Sequence, residues 1–282
     1  MSNFTFKLSQ NPNGTYTLAD PDSGDLMHSM IGPEAEAYGV YIAQSRLTER
    51  LQEHQDPAHP LVIWDVGLGT GANALAAIES WSKLAEKKKN LRPLQIISFE
   101  SKPNGLVATL EHLERFDWLK NFKSELQSLA DHGQVQGPWG TWELRIGDFF
   151  ETARAEDRPE LIFYDFYAPK SAPELWSLRA FQKVRALLEQ TQKSGRSATL
   201  ITYTATKRVR AALKLSGFFV GYGNNTQAKN ETTIASTDPR EILRPLDAEW
   251  IESLRRATKP FPIGEPGDQI RDLEGLIAGL ER

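Results

Sequence analysis

The chain has 282 residues, 33 Lys and Arg against 37 Asp and Glu, a net charge of −4 and no cysteine. That length can bury a sizeable core, as one large domain or one domain with an appendage. Without cysteine there are no disulfides, thiolate zinc sites, iron–sulfur clusters or cysteine nucleophiles, and the mild acidity gives no global pull towards nucleic acid, so an RNA partner would need a local basic face.

In chain order, "MSNFTFKLSQ" lacks a charged segment followed by an apolar core, and no apolar run reaches membrane-spanning length, so a cytoplasmic protein is expected. Residues 4–28 alternate apolar and polar around Asn13-Gly14, which predicts a hairpin, with a second turn at Pro21 to Gly24. Residues 32–51 look helical, and Pro57 and Pro60 then punctuate. From Leu61 strands and helices alternate. "LVIWDVG", "LQIISFE", "TWELRIGD", "ELIFYDF" and "SATLITYT" read as strands, the first as a central parallel one. Leu75, Ile78, Trp81 and Leu84 recur at helical spacing, and Lys87 to Lys89 form a solvated helix end. "PELWSLRAFQKVRALLEQ" predicts an amphipathic helix, and "KRVRAALKLSG" another with Gly217 as C-cap. "FFVGYG" and "ETTIAST" are spaced to pair as an antiparallel hairpin. The pattern is that of an α/β doubly wound sheet carrying one reversed strand. It divides into an N-terminal hairpin-and-helix extension (1–56), a ligand-binding domain (57–238) and an irregular, proline-punctuated tail with short helices (239–282).

The chemistry centres on "VIWDVGLGTGANALAAI", a strand, a glycine turn and a helix. Glycines there let main-chain N–H groups approach a ligand with no Cβ in the way. Two ligands compete. Gly67, Gly69 and Ala72 fit the dinucleotide pattern G-x-G-x-x-A, whereas Asp65 with Gly67, Gly69 and Gly71 fits the turn that holds S-adenosylmethionine. Asp65 at the strand end needs a partner, which a methionine ammonium or a turn N–H would supply. Glu100 ends the second strand and would accept two ribose hydroxyls; Gly147-Asp148 ends the third and would meet an adenine amino group. As local structure alone, both acids would be helix caps or turn residues. Three acids after three successive strands, with no hydride-site constellation, favour S-adenosylmethionine. The five scattered histidines (His28, His54, His59, His112, His132) make no metal-ligand spacing, so no metal is expected. After the fourth strand, "YDFYAPKSAPELW" brings Asp165, Phe166, Tyr167 and Pro169 to the carboxyl edge where open α/β sheets bind ligands. An acid beside aromatics at that point suits transfer to an amine.

At these residues the chain resembles the methyltransferase domain of the bacterial tRNA 5-methylaminomethyl-2-thiouridine biosynthesis enzyme, the MnmC type. "GLGTGAN" stands where that family reads G-F-G-T-G-L-N, "DFYAPKSAPELW" where it reads D-G-F-x-P and n-P-x-x-W, and "TYTATKRVRAAL" where it reads T-Y-T/S-A followed by V-R. The resemblance covers roughly residues 26–236. It implies a Rossmann-like class I methyltransferase with a seven-stranded, mostly parallel sheet, one antiparallel strand and an N-terminal β-hairpin. It implies S-adenosylmethionine held by Asp65, Gly67, Gly69, Gly71, Asn73, Glu100, Gly147, Asp148 and Asp165. Asp165 would also orient and deprotonate the acceptor, and Tyr167 would pack against it. The acceptor so implied is the aminomethyl group of a modified wobble uridine in tRNA, with a separate oxidoreductase supplying that substrate. Such an amine, with a pKa near that of lysine, costs roughly 4 kcal/mol to deprotonate at pH 7.

Three other readings stay open: a methyltransferase of the same fold acting on a small molecule or protein, an aminopropyltransferase, and a cofactor-binding protein without turnover. Lys207, Arg208, Arg210 and Lys214 on one helix, with Arg240 and Arg244 in the tail, are the candidate RNA-docking cations, and equally a solvated face. His28, Ser29, Glu34 and Glu36 would reach cofactor or substrate, or else serve as surface-turn and helix-start residues.

Overall fold

The computed structural model describes residues 6–21, 24–28, 30–53, 59–189, 196–225, 231–264 and 272–281. Ser29 and the middle of the expected second turn lie outside them. The chain opens with β1 (Lys7–Gln10) and β2 (Tyr16–Ala19), paired antiparallel with Gln10 opposite Tyr16. The link is a turn closed by Gly14 N–H on Asn11 O (2.9 Å), with Gly14 itself at φ 86°. This is the longer of the common hairpin loops, in which the glycine takes the left-handed position after the turn. The helical expectation for 32–51 resolves into Pro33–Glu36, a π-helical turn Ala37–Ile42, a further helical turn, and Leu47–Glu53 after a break at Arg46 (φ 52°).

The large sheet holds β3 (Leu61–Val66), β4 (Leu94–Glu100), β5 (Gln134–Gly137), β6 (Gly140–Ile146), β7 (Leu161–Tyr164), β8 (Thr199–Thr202), β9 (Phe219–Tyr222) and β10 (Thr233–Ser236). Its order is β5-β6-β4-β3-β7-β8-β10-β9. β3, β4, β6, β7 and β8 run parallel, and β10 is antiparallel to both β8 and β9. All seven expected strands are present, and β10 is the reversed one. The short β5 is an addition, folded back on β6 through Gly137 and Gly140.

Every residue of β3 is buried, and successive side chains serve opposite faces. Leu61 and Ile63 join a cluster with Leu75 and Ile78 of the Ala72–Ala85 helix; Val62, Trp64 and Val66 join one with Phe99, Phe149, Trp176 and Phe181. Leu18, Val40, Tyr41, Leu47 and Leu51 from the N-terminal extension belong to the first cluster. The strand order reverses beside β3, between β4 and β7, so their carboxyl ends diverge and leave a crevice there.

The stretch expected as one helix from Pro173 divides. Pro173–Trp176 is a 3-10 turn, and the α-helix starts at Leu178, where Ser177 Oγ accepts the Ala180 N–H (3.1 Å). Leu175 is therefore freed from the helix face and reaches the crevice. Gly217 (φ 87°) closes the Lys207–Leu215 helix as expected. Of the helix's cations, Lys207 Nζ donates to Ser253 O (3.0 Å) and Arg208 Nε to Phe261 O (2.8 Å). Arg210 is buried, pairs with Glu231 (2.8 Å) and donates to Thr232 O (2.8 Å). In the tail Arg240 pairs with Asp238 and Arg244 donates to Gly223 O (3.3 Å). Of the cations read as either an RNA-docking or a solvated face, Lys207, Arg208, Arg210 and Arg244 are thus committed to the tail and the last strands. The tail helices Ala248–Arg255 and Leu273–Glu281 pack on it through Trp250, Leu254, Leu276 and Leu280. No helix among the described residues is long and apolar enough to cross a membrane.

Candidate active site

The crevice is a cavity of about 800 Å³. Of the residues expected to form a site, Gly67, Gly69, Asn73, Glu100, Gly147, Asp148, Asp165 and Tyr167 all line it. Asp65 and Gly71 do not. Gly71 (φ 82°) precedes the Ala72–Ala85 helix as its N-cap, and a Cβ there would meet Leu126 and Trp142 at 3.2–3.3 Å, so its role is in the turn and its packing. Asp65 is fully buried behind the turn. Its Oδ2 accepts from Ser98 Oγ (2.6 Å), which in turn accepts from Trp142 Nε1 (2.8 Å), while Oδ1 has no partner. The hydrogen-bond partner that the fold gives this carboxyl is Ser98 on the neighbouring strand.

Burial pushes the Asp65 carboxyl up to about 8, against the pull of the Ser98 hydrogen bond and with the help of the Asp165 charge. A folded-state value above the unfolded one favours folding in acid, and this advantage is lost as pH rises from about 4 towards 8. We expect Asp65→Asn to flatten this dependence, which costs at most about 1.4 kcal/mol per pH unit. Urea melts of both proteins at pH 5 and pH 8 test it; equal slopes would remove Asp65 as the cause.

Gly67 (φ 94°) is required by close approach: a Cβ would lie 2.4 Å from the main-chain oxygen of Asp165. The turn after β3 and the end of β7 are therefore in direct backbone contact. Glu100 ties in the other side. Its Oε2 accepts the Gly69 N–H (3.2 Å) and its Oε1 the Ser101 N–H (2.8 Å). Burial pushes this carboxyl up, and those N–H groups oppose the shift. Asp148 is the N-cap of the short Phe149–Thr152 helix, with Oδ1 on the Phe150 N–H (2.7 Å), yet it also lines the cavity. The cap reading and the ligand reading of this residue therefore coexist.

Asp165 is half-buried just past β7. Its Oδ2 accepts from Asn73 Nδ2 (2.8 Å), which brings the first turn of the helix after Gly71 onto the acid. Burial pushes Asp165 up to about 6; the Glu36 charge adds to this, while Tyr41, Asn73 and His28 oppose it. Tyr203, whose hydroxyl donates to Phe166 O (3.0 Å), and Tyr167, 38% exposed at the rim, supply aromatic surface. Trp176 is fully buried, stacks edge-on against Tyr164 and Tyr203, and donates to Tyr167 O (2.8 Å), which fixes the loop.

From the N-terminal extension, His28 and Glu36 line the cavity, as do Leu26, Met27 and Met30, which had not been expected there. Glu34 lies on the exposed side of its helix and does not line it. The apolar trio carries no chemical signature; the available signal was "DLMHSMIG", an apolar-rich link between a hairpin and a helix.

The residues fit S-adenosylmethionine. Glu100 Oε1 accepts from Ser101 N–H, Ser101 Oγ and Lys102 N–H, whereas Oε2 accepts the Gly69 N–H and keeps a lone pair for a ribose hydroxyl. Phe99, Leu68 and Phe149 offer apolar walls to an adenine ring, and no group of His or acidic residues among the described residues is arranged for a metal.

Comparison with known proteins agrees with this fit. A family model described as S-adenosyl-L-methionine-dependent methyltransferase matches residues 115–238. The tRNA 5-methylaminomethyl-2-thiouridine biosynthesis bifunctional protein MnmC of Pseudomonas syringae pv. syringae (strain B728a) is 28% identical over 256 residues, which cover 86% of this chain and 36% of that protein. Its counterpart in Methylibium petroleiphilum is 27% identical over 258 residues, with the same shares. The chain thus spans 36% of the length of these curated relatives. The crystal structure of MNMC2 from Aquifex aeolicus shares the fold, with a TM-score of 0.71 at 21% identity over 99% of this chain and 84% of that one. Over residues 115–238 the chain thus matches an S-adenosylmethionine-dependent methyltransferase family, and over most of its own length it is similar to the MnmC proteins.

Proposed function

We propose that the chain transfers a methyl group from S-adenosylmethionine to the aminomethyl nitrogen of a modified wobble uridine in tRNA, in the cytoplasm, on a substrate made by a separate oxidoreductase. The observation that carries this reading is Asp165: a half-buried carboxyl at the end of β7, held by Asn73 inside the cavity that the glycine turn also lines. The relatives' printed names supply the tRNA nucleoside.

When bound, the cofactor supplies a methyl group made electrophilic by its sulfonium. Gly67, Gly69, Asn73, Glu100, Gly147 and Asp148 would hold it, with Asp65 and Gly71 supporting the turn from behind. The remaining work falls to the chain's own groups. An alkylammonium has no lone pair to offer, so the site must take a proton from it. A carboxyl raised to about 6 is a better base than an ordinary aspartate and is still mostly ionised at pH 7. Asp165 also orients the nitrogen by accepting its hydrogen bond, and Tyr167 and Tyr203 pack beside the acceptor and exclude water.

The experiment is transfer of labelled methyl to tRNA carrying aminomethyl uridine, with unmodified tRNA beside it and the product nucleoside identified. Methylation of the aminomethylated tRNA alone supports the proposal. The internal engagement of Lys207, Arg208 and Arg210 favours a second reading, a small-molecule amine acceptor. Methylation of free aminomethyl nucleoside but of neither tRNA would establish it.

A further inference from the structure

The cavity contains a carboxylate that the catalytic scheme above does not use. Glu36, 8% exposed, closes the helical turn Pro33–Glu36 immediately before the π-helical Ala37–Ile42 and lines the same cavity as Asp165. His28 stands behind it. Its Nδ1 is 3.8 Å from Glu36 Oε2, and its Nε2 is 2.8 Å from Thr70 Oγ1, inside the glycine turn. Glu36 is thereby located against the cofactor turn although it comes from the N-terminal extension. From the π-turn itself comes Tyr41, fully buried, whose hydroxyl lies beside Asp165 yet makes no hydrogen bond of ordinary geometry.

The charges around this point are one-sided. Asp165, Glu36, Glu100 and Asp148 line the cavity, whereas no lysine or arginine among the described residues does. Carboxylates that line one cavity together favour a cation between them. Consistent with that, the Glu36 charge contributes to the upward push on Asp165. A π-turn inserts one residue into a helix and re-aims what flanks it, a device common at functional sites.

We propose that Glu36 and Asp165 form a dicarboxylate pair that binds the acceptor as a cationic alkylamine, with Glu36 as the second proton acceptor and His28 as the residue that positions it. This rests on the methyl-transfer reading of the cavity. In the step assigned to the pair, one N–H bond of the ammonium breaks, its electron pair stays on nitrogen, and the proton becomes the O–H of a neutral carboxylic acid. A hydroxyl of the same shape offers no charge to this pair and is rejected.

The test is calorimetric titration of the protein saturated with S-adenosylhomocysteine, using 5-aminomethyluridine and 5-hydroxymethyluridine as probes. Wild type should prefer the amine by about tenfold or more, the size of a charge-assisted hydrogen bond over a neutral one. Glu36→Gln should lose most of that preference while its affinity for S-adenosylhomocysteine and its melting temperature hold. Glu36→Asp, which keeps the charge, should retain the preference, and His28→Asn should lose part of it. The proposal is overturned if wild type binds both nucleosides equally, if Glu36→Gln discriminates as wild type does, or if that variant weakens S-adenosylhomocysteine instead. A preserved amine preference with no methylation of any tRNA would defeat the tRNA reading and leave this pair standing.

Discussion

Asp165→Ala should keep cofactor binding near the wild-type level and lose about 10²- to 10⁴-fold in turnover, the range associated with a positioned general base. Cofactor binding survives because the contact between the two loops is made by the main-chain oxygen of Asp165 against Gly67, which the substitution leaves in place. The side chain, by contrast, is the acceptor for Asn73 and the base for the amine. Wild type should also show kcat/KM falling in acid with an apparent pKa near 6, because protonating Asp165 removes the base, and the variant should lack that limb. Titration with S-adenosylhomocysteine, run beside single-turnover methylation from pH 5 to 8, reads both effects. Undiminished turnover, or a loss explained entirely by weaker cofactor binding, would remove Asp165 from the chemistry.

Gly67→Ala should act on the opposite term. At φ 94° an alanine is strained, and its methyl would lie 2.4 Å from the Asp165 oxygen and 2.9 Å from its carbonyl carbon. Both neighbours are backbone and cannot rotate aside, so the turn or the end of β7 must move. We expect a loss of stability of about 2 kcal/mol or more and cofactor affinity lower by about a hundredfold, corresponding to roughly 3 kcal/mol. Gly14→Ala is the control. It carries a similar φ of 86° with nothing within 4 Å of the new methyl, so it isolates the backbone strain from the collision. If Gly67→Ala binds the cofactor as wild type does, the close approach of the two loops is not what the glycine serves.

The sheet was legible because its strands are short apolar runs separated by glycine, proline and polar turns, a pattern that survives without knowledge of tertiary contacts. The antiparallel return of β10 was legible for the same reason, since β9 and β10 sit too close in sequence for a helical crossover. The edge strand β5 and the helices Asn104–Glu111 and Lys123–His132 have no counterpart among the expectations. β5 is four residues with one buried side chain, so it carries almost no periodic signal.

At the site, the residues found by motif were those at strand ends, where position along the chain and position in space coincide. Asp65 shows the limit of that rule: an acid at a strand end can point into the sheet as well as out of it, and here Ser98 on the adjoining strand, itself held by Trp142, donates to it. His28 and Glu36 show the converse. They reach the cavity because the extension folds across the carboxyl ends of the strands, a placement set by Leu18, Val40 and Tyr41 joining the core beneath, which local pattern does not encode.

The inward use of Lys207, Arg208 and Arg210 has a consequence for any polyanionic substrate. Cations already spent on carbonyls and a carboxylate inside the fold displace no counterions when a nucleic acid arrives. The logarithmic decline of affinity with ionic strength, about 0.7 per phosphate neutralised on a single strand, would then be shallow. Recognition would rest on the base that enters the cavity more than on the strand that carries it.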